Sequence, residues 1–349
     1  MSEILIIKTA ALGDVLRTTS ILPGLAARHE GARILWITAP AAVDLLRTHP
    51  LLTGVIALDP KIPSEVNQAI DALSERPFER VISLDDERPL CCLASSLNTE
   101  SLHGAYARVN GSLAYTSDTA PWFDMGLLSV HGKARADELK IENTLSQPAI
   151  YAAMLGIEPG KPELHVPRAS TARALAFSGH HKIDAGVPLI GLNTGAGGRW
   201  LSKQLPVERT IALARLLTRE LKGKVRFLVL GGESEGPRND AILSGIGPSA
   251  IDGGTKNSLF DFAALVELCD VLVTSDSLAL HMAIARDVRS VSFYAPTSAA
   301  EIELYGLGEK VVSTAPDYCS YKPDADNSSI TPGRLAAAVL RQLAIAKRA

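Results

Sequence analysis

Residues 3–20 read EILIIKTAALGDVLRTTS, and the parsing of this stretch decides the fold. Ile4 to Ile7 form an unbroken apolar, mostly β-branched run, which points to a strand covered on both faces, as in a parallel sheet. Ala10-Ala11-Leu12-Gly13-Asp14 then offers small side chains and a glycine where the backbone must turn. From Val15 the apolar positions return at helical spacing. Strand, turn and helix in that order are the opening of a βαβ unit.

The pattern recurs along the chain. Residues 34–37, 54–58 and 81–84 read as further strands of the first half, with helical stretches at 16–28 and 66–74. In the second half 189–193, 225–230, 271–275 and 290–294 are strand-like, separated by helical patterns at 207–221, 239–244, 259–269 and 279–286. The expectation is α/β throughout, in two domains, because 349 residues exceed one comfortable core. A polar run, SGHHKIDAG at 178–186, precedes Pro188 and marks the expected joint, giving domains 1–178 and 187–329. Thr331-Pro332 reads as a cap and a first-turn proline, so 330–349 is expected to be a helix packing back on the first domain. Residues 88–140 are rich in Ser, Gly and scattered aromatics and read as long loops with short helices. Residues 317–329 read as loop.

Composition narrows the function. A net charge of −3 provides no basic surplus for nucleic acid. The four cysteines include no paired CxxC spacing, so neither a disulfide framework nor a zinc ligand set is expected. No basic-then-apolar leader and no apolar run of membrane-spanning length is present, so a cytoplasmic protein is expected, touching the inner membrane at most peripherally.

Chemistry can be carried at four strand exits. Asp14 is either the N-cap of the helix that follows or a carboxylate free to act as general base. Asn193 to Lys203, NTGAGGRWLSK, follows a strand; its three glycines, Thr194, Ser202 and Lys203 suit a diphosphate cradle, or a plain surface loop. Gly231-Gly232-Glu233-Ser234-Glu235 places two acids where nucleotide folds bind ribose hydroxyls, although solvated acids fit as well. Asp276 and Ser277 can cap a helix whose N-terminal dipole favours a phosphate or its sugar, with His281 one turn on as ligand contact or structural histidine. GxGxxG at the first turn, HExxH, GxSxG and Walker A patterns are all missing.

Taken together, ILIIKTAALGDVLRTTSILPGL, GRWLSKQLPVER, LGGESE and VTSDSLALHMAIARDVRSVSFYAPTSAAEIELYG resemble, in order and over nearly the whole chain, the family 9 glycosyltransferases of heptosyltransferase type. The resemblance implies a GT-B architecture, two Rossmann-like parallel-sheet domains facing a central cleft. It also implies inverting, metal-independent transfer of a sugar, a heptose, from an ADP-linked donor to a glycan or lipopolysaccharide-type acceptor. No cofactor beyond that substrate is implied. Asp14 matches the proposed base; Lys203 matches the lysine that neutralises the diphosphate, Glu235 (or Glu233) the ribose acid, and Asp276 the aspartate at the donor sugar. Thr194, Gly195, Ser277 and His281 join the donor side, and Lys8, Gly13 and Arg17 the acceptor side, with Arg17 to Ser20 lining the acceptor cleft. The chain departs from the family at Ser277-Leu278, where Thr-Gly is common, and in 88–140, which faces the acceptor in this reading. Two alternatives are a transferase using another sugar nucleotide and a non-lipopolysaccharide acceptor, and a non-catalytic sugar-nucleotide-binding partner.

Overall fold

The computed structural model describes residues 2–197 and 200–346. It divides into two compact units, Met1–His165 and Val166–Ala349. The division falls ahead of the expected joint because the helix at 168–180 belongs to the second unit, where Arg173 forms an ion pair with Asp261 at 2.6 Å.

The first unit alternates strand and helix: β1 (Glu3–Ile7), α1 (Leu12–Thr18), α2 (Leu22–Arg28), β2 (Arg33–Thr38), α3 (Val43–Leu46), β3 (Gly54–Ala57), α4 (Pro63–Leu73), β4 (Phe78–Ser83) and α5 (Arg88–Ser96). It continues with β5 (Thr99–Ala107), β6 (Leu113–Tyr115), α6 (Ala120–Phe123), α7 (Gly132–Glu142) and α8 (Gln147–Leu155). The sheet order is β3-β2-β1-β4-β5-β6, parallel except for the antiparallel β5–β6 edge. Ile4 to Ile7 are fully buried, with Ile4 opposite Ile34 and Leu5 opposite Leu35. Leu5, Ile7, Leu35, Ile37 and Val81 pack on one face with Val66 and Leu73 of α4 and Leu90 and Leu93 of α5.

Residues 88–140 depart from the expectation of loops, since they contain the nine-residue strand β5. Its sequence, TESLHGAYA, lacks an apolar run because the strand is held by the register against β4. There Gly104 sits at φ +116°, and a Cβ on it would fall 1.8 Å from the Ser83 carbonyl oxygen. Only glycine fits that approach.

The second unit repeats the plan: α9 (Arg168–His180), β7 (Leu189–Asn193), α10 (Val207–Glu220), β8 (Arg226–Leu230), α11 (Gly236–Ile246), β9 (Ala250–Asp252), α12 (Leu259–Val266) and β10 (Val271–Ser275). It ends with α13 (Leu278–Ala285), β11 (Ser290–Tyr294), β12 (Gly308–Val312) and α14 (Pro332–Ala346). The order β12-β11-β10-β7-β8-β9 is the first sheet's order over again, here parallel throughout. Alternation along β7 splits the core: Ile190 and Leu192 face the layer of Leu213, Leu217, Leu335 and Val339, whereas Leu189 joins Leu265, Val266 and Ala283. The apolar face of α14 is therefore committed to the core of its own unit, a correction to the expectation that it packs on the first domain. Residues 317–329 are irregular, as expected. Among the described residues no helix is long and apolar enough to cross a membrane.

Replacing Gly104 by alanine should cost at least about 2 kcal/mol, from the left-handed backbone and the displaced Ser83 carbonyl. Urea unfolding checks this: the first unit's midpoint should fall, while the second unit's transition stays in place.

Candidate functional site

In each sheet the strand order reverses beside the first strand of the unit, between β1 and β4 and between β7 and β10. The loops leaving those strands diverge to opposite faces, so the carboxyl ends open a crevice where doubly wound folds bind ligands. Each unit places buried ionic chemistry there.

In the first unit, Lys8 at the end of β1 ion-pairs with Asp85 beyond the end of β4. Asp85 also accepts from the Thr9 amide at 2.5 Å and the Thr9 hydroxyl at 2.8 Å. Burial pulls the Lys8 ammonium pKa down, but the carboxylates of Asp85 and, less, Asp14 outweigh it and raise the pKa above the ordinary lysine value. Lys8 is 7% exposed, so its charge is spent on holding the two strand ends together. Tyr151, fully buried on α8, is pushed up to about 12 by burial, against the pull of the Lys8 and Arg17 cations.

Asp14 is not the N-cap residue of the helix. α1 starts at Leu12 with Ala11 in the cap position, and Asp14 is its third residue, one carboxylate oxygen 3.4 Å from the Ala11 amide. The other oxygen meets Arg17 at 2.8 Å, and the Asp14 side chain remains 39% exposed. Arg17 stacks its guanidinium over Trp122 at 5.9 Å, and Trp122 meets the Tyr151 ring edge-on at 5.0 Å. Gly13 is helical rather than part of the turn. Thr18, Thr19 and Ser20 are buried, so they do not line a cleft. Thr18 donates to the Asp14 carbonyl and Thr19 to that of Leu16, and Gln147 and the Glu163 amide donate in turn to those hydroxyls.

In the second unit, Lys203 donates to the Asp276 carboxylate and backbone carbonyl, each at 2.8 Å. Thr297, at the exit of β11, donates to the same carboxylate oxygen at 2.8 Å, and the buried His281 brings Nε2 to 3.8 Å from the other. Ser277 occupies the N-cap position of α13 but its hydroxyl makes no cap bond; it meets Thr274 at 3.0 Å. Asn193 joins the loops, donating to the Gly195 carbonyl at 2.8 Å and to Thr274 at 2.9 Å. Leu278, in the place of the family's usual glycine, is half-buried at the first turn of α13.

Glu235 is 6% exposed and accepts from the Gly232 amide at 2.8 Å, so it is the organised acid of that loop. A Cβ on Gly195 would stand 2.9 Å from the Glu235 carboxylate, so a larger residue there would make that side chain shift. Thr194 donates to Asn239 at 2.5 Å. Arg238, on the first turn of α11, adds a half-buried guanidinium whose pKa burial lowers against the attraction of Glu235. Gly198 and Arg199 of the glycine-rich loop lie outside the described residues. The predicted donor-side residues thus form two groups, Lys203-Asp276-His281 and Thr194-Gly195-Glu235, linked through Asn193 and Ser277. Asp85, Thr297 and Arg238 were missed. The LDDE run at 84–87, after an apolar strand, was the available signal for Asp85; Thr297 carried none beyond its place after a strand.

The family model for glycosyltransferase family 9 (heptosyltransferase) matches residues 72–329. No curated protein matches by sequence. Among solved structures, a family 9 glycosyl transferase from Veillonella parvula is 19% identical with a TM-score of 0.78, covering 99% of this chain and 98% of its own. The E. coli ADP-heptose lps heptosyltransferase II is 18% identical, TM-score 0.67, covering 99% and 100%. E. coli heptosyltransferase WaaC, solved with ADP-2-deoxy-2-fluoro heptose, is 19% identical, TM-score 0.61, covering 97% and 99%. The fold is that of these proteins, the GT-B class of two Rossmann-like units.

Removing one partner of the buried Lys8–Asp85 pair should be costly. Asp85→Ala is expected to lower stability by about 3–5 kcal/mol, because it strands a buried ammonium. Adding Lys8→Met should restore part of the loss in the same urea titration.

Proposed function

Because the chain belongs to glycosyltransferase family 9 (heptosyltransferase), we propose that it transfers a heptose from an ADP-linked donor to a glycan or lipopolysaccharide-type acceptor, inverting the anomeric centre. The ADP-heptose donor and the lipopolysaccharide acceptor are suggested by the similar E. coli enzymes. The observation that carries the reading is the Lys203–Asp276 pair at the second unit's switch point, with Glu235 organised in the loop after β8.

In this reading Lys203, anchored by Asp276, meets the diphosphate whose charge grows as the glycosyl bond breaks. The start of α13 adds its dipole. Glu235 accepts from ribose hydroxyls, as acids after a Rossmann strand do. Asp14, paired with Arg17 and the most exposed carboxylate of the first unit's group, takes the acceptor hydroxyl proton as that oxygen attacks the sugar carbon. No metal is required in this scheme, since the cations and amides supply the countercharge. The protein acts in the cytoplasm, touching the inner membrane only through a lipid-linked acceptor.

The second reading, another sugar nucleotide and a non-lipopolysaccharide acceptor, draws on the first unit's 88–142 segment, which is built around β5 and α7. A thermal-shift panel of ADP, UDP, GDP and their sugars separates the two. ADP at 100 times its Kd should stabilise the protein by about 2.7 kcal/mol, and a shift with UDP or GDP alone would select the second reading. Silence with every nucleotide would refute both. Lys203→Met should abolish the shift. Asp14→Asn should leave it intact while turnover falls roughly 100-fold or more, and an unchanged rate would remove Asp14 from the base role.

A further inference from the structure

Away from both switch points, the first unit gathers His49, Glu163 and His165, each offering a ligand atom within 4.8 Å of the others. We propose that these residues form a metal site that takes zinc or a similar divalent transition ion.

The donor set is the first argument. Two imidazoles and one carboxylate leave an open position for water, a combination suited to zinc. Zinc bonds of roughly 2.0–2.1 Å in a tetrahedral site put donor atoms about 3.3 Å apart. His165 Nε2 and Glu163 Oε2 are already 3.1 Å apart. From separations of at most 4.8 Å, His49 must therefore close on that pair by no more than about 1.5 Å.

The second argument is an unpaid polar atom. His49 is 4% exposed, and its Nε2 is buried with no hydrogen-bond partner among the described residues. A buried polar nitrogen without a partner is expensive, and a metal would give Nε2 that partner. Binding through Nε2 moves the ring proton to Nδ1, exchanging the 3.3 Å contact from the Leu51 amide for the metal bond. At His165 and Glu163 the ion takes the place of the proton they share.

The backbone is the third. His49 donates its amide to the Leu46 carbonyl and accepts from the Leu52 amide, which fixes it behind α3. The Glu163 amide donates to Thr19, and the Thr48 hydroxyl donates to the His165 carbonyl at 2.8 Å. The rings of His49 and His165 stand edge to face at 5.4 Å. The site would tie the loop after α3 to the last residues of the first unit, a structural role separate from sugar transfer.

The test is zinc titration of EDTA-treated full-length protein by calorimetry, with cobalt as a visible probe. The expected result is one zinc per chain, a raised thermal midpoint, and a tetrahedral cobalt spectrum without the ultraviolet band of thiolate ligation. Glu163→Gln and His165→Gln, both at part-exposed positions, should fold with the thermal midpoint of the metal-free wild type and bind zinc at least tenfold more weakly. His49→Gln should do the same. No binding by the wild type, binding undiminished in Glu163→Gln and His165→Gln, or a thiolate band would overturn the proposal.

Discussion

A strand covered on both faces is a costly place for an unpaired charge, so ionic groups collect where the strands stop. Both units are shaped by that constraint. β1 and β7 carry apolar residues to their last turn and then deliver a polar group at once: Lys8 in one, Asn193 in the other. Each reaches across the reversal of strand order to a group on the neighbouring strand's exit, Asp85 and the Thr274–Ser277 turn. The same architecture thus yields different chemistry. The first unit closes its pair into the protein and leaves Asp14 outermost; the second gathers a lysine, a threonine and a histidine around the one carboxylate of Asp276.

Much of this was legible in the amino-acid order. Buried parallel strands announce themselves as continuous β-branched runs, and the glycines and acids that follow them mark their carboxyl ends, which is why β1, β7, β8, β10 and β11 and the residues Asp14, Lys203, Glu235 and Asp276 could be named beforehand. Chain geometry was less visible. β5 was hidden because its place rests on one glycine fitted against a carbonyl, a contact with no local periodicity. The fate of α14 was hidden because an amphipathic helix states that it has a partner without saying which sheet provides it.

Partners far apart in sequence were the other blind spot. Lys8 and Asp85 are 77 positions apart, and Lys203 and Asp276 are 73 apart. A residue-by-residue reading can propose that each is charged for a reason, but it cannot tell that Lys8 is consumed internally. The helix start shows the same limit on a smaller scale. Asp14 reads as the N-cap until the chain is folded, when Ala11 proves to occupy that position and the carboxylate, three residues on, is shared between the Ala11 amide and Arg17.

The commitment of α14 to its own unit bears on the order in which the chain matures during synthesis. Residues through His165 contain every strand of the first sheet, so that unit can complete its core while the ribosome is still translating the second. The second sheet cannot do likewise. Leu335, Val339 and Leu343 cover β10 and β11 from the far end of the chain, and until they emerge the apolar face around Val273, Val291 and Phe293 stays wet and sticky. Nascent chains of this protein should therefore need chaperone protection late rather than early, during the interval between the appearance of β11 and the release of the final helix.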